Sequence, residues 1–527
     1  MVIYAGSWLP FVNSKTAEFY FLRFTFALVC ALCEVQLFKA IGKAMSPRIA
    51  NLFMLIMATS AGMFHAVISY LPSSFAIYTV LLAAASFMDW TLGIQTAKGL
   101  FWLSVGAILG WPFVGALALP YLAEEAVMWH FTEDLEGTAA RLFQATCGAF
   151  VVLLLTALVD YYFYHKIVVY SIQLVWYNVF GGSGKGPNIF GTEPWHYYIR
   201  NLLINFNLWF VLACAVAPLV LFQRNVMGEP SSRLPFFRTM ITISPFYLWL
   251  AMFTLQPHKE ERFMYPVYPF LALNAALAFH IIINIIDAAV PSNSTPSKPD
   301  THVRIAGAAI PTTPSWLSSI TPSTLLRLLK PASIAFFLLL TTTINLSRSL
   351  GLATAYSAPL SIYTSLPPIN TTTSSLSTLC LGKEWYRFPS SYHLPPSYRP
   401  AFIPSDFHGL LPGAFSEAEG FGFFPGAYLL PSGMNDENRE DLGKLRREER
   451  CDWLVESWFE GEEVSKAQPD RIHGLGSEKW EKVRCERFLD QAATGVLGRL
   501  FWVPEGEWVP RRWRRQWGEY CLLRRKV

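Results

Sequence analysis

The sequence predicts a polytopic α-helical membrane protein with a mostly β soluble domain at its C-terminal end. Three observations lead there. Of the 527 residues, 52% are hydrophobic and only 15% charged, against roughly 25% charged in ordinary soluble domains. Apolar runs recur between Phe19 and Leu350, near the length of about 20 residues that a helix needs to cross a hydrocarbon core of ~30 Å. Beyond Gly351 the pattern changes to short apolar and aromatic runs separated by proline and glycine clusters, the punctuation of strands and turns. The net charge of +4 is too small and too scattered to argue for nucleic acid.

In chain order, Met1 to Thr16 has no basic start followed by an apolar run, so no cleavable signal peptide is expected. Nine candidate crossings follow: Phe19–Phe38, Ile49–Tyr70, Pro72–Met88, Gly99–Leu119, Ala139–Phe163, Asn201–Phe222, Thr239–Leu255, Phe263–Ile286 and Pro331–Leu350. Basic residues of short loops stay on the cytoplasmic side. Lys39, Lys43 and Arg48, then Arg224, Arg233 and Arg238, then Lys298, Arg304, Arg327 and Lys330 mark three such loops. The stretch Gln256 to Tyr265 and everything after about Gly351 then fall on the opposite face. One conflict remains in the count of crossings. Gly110-Trp-Pro112 interrupts the fourth segment, where proline and glycine both oppose a helix. The segment is therefore expected to be a re-entrant pair of half-helices, tolerated only where protein or a cavity covers it. The run Ile167 to Phe180 is the alternative missing crossing. Residues 288–330 turn to serine, threonine and proline and predict a disordered cytoplasmic loop within the membrane domain (1–350), before its last crossing, and the C-terminal domain then takes 351–527.

Two stretches carry candidate chemistry. Gln256-Pro-His-Lys-Glu-Glu-Arg262 sets His258, Lys259 and Arg262 beside Glu260 and Glu261, between two apolar segments. Charges are costly inside hydrocarbon. They form either a solvated inter-helix loop or a site for an anionic ligand, with the acids orienting the cations or taking a proton. The loop Gly181 to Tyr198 is glycine-rich and contains Lys185, but it lacks the preceding strand and the G-K-[S/T] ending of a nucleotide loop. Cys30 and Cys33 form a C-x-x-C without a second pair or nearby histidine, and are expected to be helix-packing residues. Cys380, Cys451, Cys485 and Cys521 can form disulfides in an oxidising compartment, with the pairing open.

His-Lys-Glu-Glu-Arg-Phe263 followed by a Tyr/Pro run, together with Gly191-Thr-Glu-Pro-Trp195, resembles the signature of glycosyltransferase family 22. Gly382-Lys-Glu-Trp-Tyr-Arg-Phe-Pro-Ser-Ser391, Cys451-Asp-Trp-Leu-Val455 and Gly518-Glu-Tyr-Cys-Leu-Leu523 resemble the luminal part of the family's endoplasmic-reticulum alpha-1,2-mannosyltransferases of N-glycan precursor assembly. The resemblance implies a GT-C type fold in the endoplasmic-reticulum membrane. It implies transfer of mannose, with inversion, from dolichyl-phosphate mannose to a dolichyl-diphosphate oligosaccharide, without cofactor or metal. The active face and C-terminal domain would be luminal.

Such a transfer needs a carboxylate to take the acceptor's proton, cations for the departing phosphate and an apolar groove for the isoprenoid. Arg262 and His258, assisted by Lys259, are expected at the phosphate. Glu193, Trp195 and His196 are expected at the substrate. The resemblance assigns catalysis to an acid or acidic pair in the first luminal loop, after an N-terminal membrane helix. Residues 1–18 hold only Glu18, so a chain begun too late, or a truncated copy, is expected and the catalytic residue stays unassigned. Glu193, Glu260 and Glu261 are the weak substitutes. The alternatives are a glycosylphosphatidylinositol-anchor mannosyltransferase of the same family, a non-catalytic membrane protein, and a transporter, for which repeat halves are lacking.

Overall fold

A computed structural model describes residues 12–89, 95–181, 186–228, 233–289, 322–368, 376–414, 431–465 and 468–526. As far as Ser365 the described elements are helical. Six helices are long and apolar enough to cross a membrane: Lys15–Ala44, Leu135–Tyr164, Leu208–Val226, Phe236–Leu255, Glu261–Ala288 and Leu329–Ala355. Local chemistry sets their ends. Ser14 caps the first helix by accepting from the Ala17 amide, and Ser46 with Pro47 starts the next at Pro47–Thr59. These satisfy amide groups that no preceding turn can reach. Leu135–Tyr164 is almost wholly exposed, with Phe150, Leu154, Leu155 and Leu158 each about half or more open. A helix apolar on all sides and packed on few needs lipid around it.

Four of the nine candidate crossings are not single long helices; among them Asn201–Phe222 divides at Asn207, which separates helix Tyr197–Phe206 from Leu208–Phe222. Ile49–Tyr70 divides into Pro47–Thr59 and Ala61–Ala66 at Ser60, which is extended. Pro72–Met88 is a 17-residue helix, most of whose residues are buried in the protein interior. The expected break at Gly110–Pro112 occurs: helix Thr96–Leu109 ends at Gly110, a 3-10 turn Pro112–Ala118 packs back against it, and helix Leu119–Thr132 leads away. The alternative crossing, Ile167–Phe180, is an 11-residue helix Tyr170–Phe180. At 1.5 Å per residue that is about 16 Å, too short to cross alone. The stretch 288–330 is not wholly loop. Residues 290–321 lie outside the described residues, but the last long helix already begins at Pro322; the Leu-rich run Leu325 to Leu329 continues its apolar pattern.

The C-terminal part is built on one mixed sheet of five strands: β1 (Ser377–Leu381), β2 (Tyr398–Phe402), β3 (Trp453–Trp458), β4 (Trp480–Leu489) and β5 (Trp517–Arg525). Their order is β2-β1-β3-β5-β4, with β1 parallel to β2 and β3 and the other pairs antiparallel. Side chains alternate between faces along a strand. Leu379, Leu381, Val455, Tyr520 and Leu522 accordingly join one cluster, while Cys380, Leu454, Cys521 and Leu523 join the other. Two disulfides, Cys380–Cys451 and Cys485–Cys521, pair the four cysteines left open by sequence. Cys30 and Cys33 are free and buried, as packing residues would be. The Gly382–Ser391 motif folds as short turns on this sheet, with fully buried Glu384 accepting from Ser457 Oγ at 2.6 Å and from Arg387 at 2.8 Å.

Candidate functional site

Helix Phe236–Leu255 stops at Gln256, and the chain turns through Pro257–Glu260 into a 3-10 segment, Glu261–Val267, that runs into helix Tyr268–Ala289. Pro257 carries no amide to continue the helix, so the charged residues sit on the turn between two membrane helices. The turn grips the loop Gly191–Glu193. The Glu193 amide donates to the Pro257 carbonyl at 3.0 Å, and Lys259 Nζ donates to the Glu193 carbonyl at 3.1 Å and to that of Gln256. His258 Nδ1 meets the Gly191 carbonyl at 2.7 Å.

These contacts build a polar cleft of about 350 Å³, lined by Gly191, Thr192, Glu193, His258, Lys259, Glu260 and Arg262 with Phe190 at its side. Glu260 organises its cations: it accepts from Arg262 at 2.8 Å and lies 3.1 Å from His258 Nε2. Both His258 nitrogens thus face oxygens. Lys259 and His258 are nearly buried, whereas the Arg262 side chain is 41% exposed. The guanidinium therefore keeps donors for a ligand while its position is fixed from behind.

Against this cleft lies a second cavity of about 420 Å³ that is mostly apolar, lined by Trp111, Phe113, Val175, Val179, Phe253 and Phe263 among others. His258 borders both cavities. The groove's far wall is the broken segment itself, Trp111–Ala116, and the short helix Tyr170–Phe180. An added Cβ at Gly115 would meet nothing within 4 Å.

The sequence singles out six residues as substrate-binding. His258, Lys259, Arg262 and Glu193 line the same cleft. Trp195 and His196 stand just outside it, Trp195 exposed and His196 at the start of helix Tyr197–Phe206. Of the three substitute acids, Glu260 is held by Arg262 and His258, and Glu261 by His65 Nε2 at 2.7 Å and Asn205 Nδ2 at 2.9 Å. The Glu193 carboxylate makes no ion pair among the described residues and borders the cleft. No acid precedes Glu18 in the sequence, and Glu18 is in the first turn of helix Lys15–Ala44. Sequence reasoning missed His65 and Asn205, which reach Glu261 from 196 and 56 residues away. An apolar groove beside the motif is expected from sequence, but not its walls, because no periodicity in Trp111–Ala116 or Val175–Val179 announces a shared wall.

A model of the Alg9-like mannosyltransferase family matches residues 2–395. The alpha-1,2-mannosyltransferase alg9 of Schizosaccharomyces pombe is 33% identical over 520 residues, covering 97% of this chain and 82% of that protein. The alpha-1,2-mannosyltransferase ALG9 of Homo sapiens is 32% identical over 509 residues, covering 93% and 74%. Among solved structures, that of ArnT from Cupriavidus metallidurans bound to undecaprenyl phosphate is similar at a TM-score of 0.43 and 12% identity, over 74% of each chain.

Proposed function

The chain belongs to the Alg9-like mannosyltransferase family, and from that premise we propose that it transfers mannose from dolichyl-phosphate mannose to a dolichyl-diphosphate oligosaccharide, forming alpha-1,2 linkages in N-glycan precursor assembly. It is a multi-pass membrane glycosyltransferase. The observation that carries the choice of donor is the pair of cavities meeting at His258. An isoprenyl phosphate is an anion on an apolar chain, and the two cavities offer a cationic cleft beside an apolar groove.

In this reading the phosphate sits against Arg262 and His258, with the isoprenoid leaving along Phe113, Val179 and Phe253. The acceptor hydroxyl oxygen attacks mannose C1, and the bond from C1 to the phosphate oxygen breaks. The electron pair stays on the lipid phosphate, whose charge Arg262 and His258 stabilise. The hydroxyl proton goes to a carboxylate; among the described residues of the cleft, Glu193 is the one not already held by cations. Attack opposite the leaving phosphate inverts the anomeric centre. The membrane domain (1–350) would present this site on the luminal side and the domain 351–527 would stand over it, with both disulfides favouring an oxidising compartment.

The test is donor use by purified full chain. Arg262→Ala should lower kcat/KM for dolichyl-phosphate mannose by about 10²-fold, and Gly115→Phe should raise the donor KM by filling the groove without meeting backbone. Unchanged donor kinetics in both would overturn the assignment. Glu193→Gln with undiminished kcat would move the proton acceptor elsewhere.

A further inference from the structure

Between β4 and β5 the chain leaves the sheet for the stretch Gln491–Gln516, which contains only the one-turn helix Val496–Leu500 and a 3-10 turn at Arg511–Trp513. It displays three tryptophans to the outside: Trp502 is 40%, Trp513 38% and Trp508 77% exposed. Arg499, Arg511 and Arg512 are exposed among them. Glu505, the acid nearest in sequence to Trp502, is already paired with Arg487 at 3.1 Å. Large exposed aromatic rings are a liability on a soluble domain unless something covers them.

The position of this stretch says what covers them. It is fastened to the end of the last membrane helix: the Trp502 amide donates to the Ser347 carbonyl at 2.9 Å, Arg348 donates to the Leu500 carbonyl at 3.0 Å, and Arg515 donates to Gly351 O and Thr354 Oγ1 at 3.2 and 2.8 Å. About 20 residues of the span that begins at Leu329 exhaust the hydrocarbon core, so Ser347–Gly351 lies where the helix leaves it. Trp502 and its neighbours are thereby held at headgroup level. Tryptophan with arginine is the residue pair that suits this zone, the ring in the interface and the cation on lipid phosphate.

We propose that Val496–Trp513 is a membrane-docking belt, by which Trp502, Trp508 and Trp513 seat in the phospholipid interface and Arg499, Arg511 and Arg512 meet lipid phosphates. The belt holds the C-terminal domain down on the bilayer beside the last membrane helix. The inference does not depend on the mannosyltransferase reading, since it rests on the helix end and the exposed side chains alone.

The experiment places a fluorophore at the most exposed ring. Full chain carrying Cys147→Ser and Trp508→Cys is labelled with an environment-sensitive dye and reconstituted in nanodiscs, with and without phospholipid bearing a headgroup nitroxide. The belt predicts strong quenching by the nitroxide lipid and protection from aqueous iodide. Full iodide access with no nitroxide effect overturns it. In nanodiscs containing anionic lipid, Arg511→Glu with Arg512→Glu should reduce the nitroxide quenching by about twofold or more. No reduction in those discs would remove the arginines from the belt. Displacement of the dye from the bilayer by inorganic phosphate would show a free-anion site instead and overturn the lipid assignment.

Discussion

Glu260 is a small residue-scale device with a large reach, because one carboxylate holds two of the three cations of the cleft. Its removal should not empty the site of charge; it should unfix that charge. Glu260→Gln is expected to lower kcat/KM by about 10- to 100-fold, with Arg262→Lys unable to substitute for the fork of the arginine. Steady-state kinetics on purified protein would check both. Glu261 is a contrasting case, although it is the next residue. It is held by His65 and Asn205, so Glu261→Gln should act on stability, by about 1–3 kcal/mol for the partner groups left unsatisfied. The expected reading is a lower yield and melting temperature with donor KM unchanged in the folded fraction. A normal melting temperature with lost turnover would instead return Glu261 to the chemistry.

At the scale of elements, the five-stranded sheet carries its stability in covalent and ionic links as well as in its two apolar faces. Cys380–Cys451 closes a separation of 71 residues, which in the chain-entropy account is worth about 4 kcal/mol. Cys380→Ser with Cys451→Ser should lower the denaturation midpoint accordingly in urea. Glu456 on β3 is fully enclosed, meeting Arg471 at 2.9 Å. Burial pushes its carboxyl up to about 7, with Glu384 adding to the rise and Arg471 and Lys383 opposing it. The folded state therefore holds a proton that the unfolded chain, with a carboxyl near ~4.3, has released. Stability from this group is fully present below about pH 4.3 and declines as pH rises towards 7. Melting temperatures of parent and Glu456→Gln measured from pH 5 to 7.5 should show a falling slope in the parent that flattens in the variant.

For the whole molecule, the decisive question is which parts share a membrane face. From the turn at 256–260, helix Glu261–Ala288 and helix Leu329–Ala355 carry the chain away and back. The cationic cleft and the C-terminal sheet are then on one side. Direct contacts agree with that count: Lys15 Nζ at the start of the first long helix donates to the Leu394 carbonyl at 3.0 Å, and Tyr177 OH donates to the Asp436 carbonyl at 3.0 Å. If that side is luminal, the sequon at Asn370 should be glycosylated in microsomes and that at Asn293 should not; both asparagines lie outside the described residues. Asn345 should stay unmodified in either orientation, because it is fully buried and bonded to Asn207 at 3.0 Å. A glycosidase mobility shift on single Asn→Gln variants reads all three.

Much of this protein is legible in its sequence, and the boundary has a physical cause. Apolar run length, the Gly110–Pro112 interruption and the change of pattern near Gly351 are local signals, and they gave the membrane class, the broken segment and the strand-bearing domain. The clustering of His258, Lys259 and Arg262 was visible because those residues are adjacent in sequence. What sequence alone left open were relations between distant residues. Nothing local pairs Cys380 with Cys451, brings His65 to Glu261 or sets Val179 opposite Phe113 to make a groove, because each depends on how helices and strands pack. Two candidate crossings took another form for that reason: Ser60 divides Ile49–Tyr70, and Pro72–Met88 is enclosed by protein, because protein neighbours rather than lipid satisfy those segments. The sequence by itself determined which segments are apolar, where charge collects and which family chemistry to expect. Only the tertiary structure decided that Glu260 is a clamp, that Glu261 is held elsewhere, and that an apolar groove meets the cationic cleft at one histidine, since these are properties of proximity and not of order along the chain.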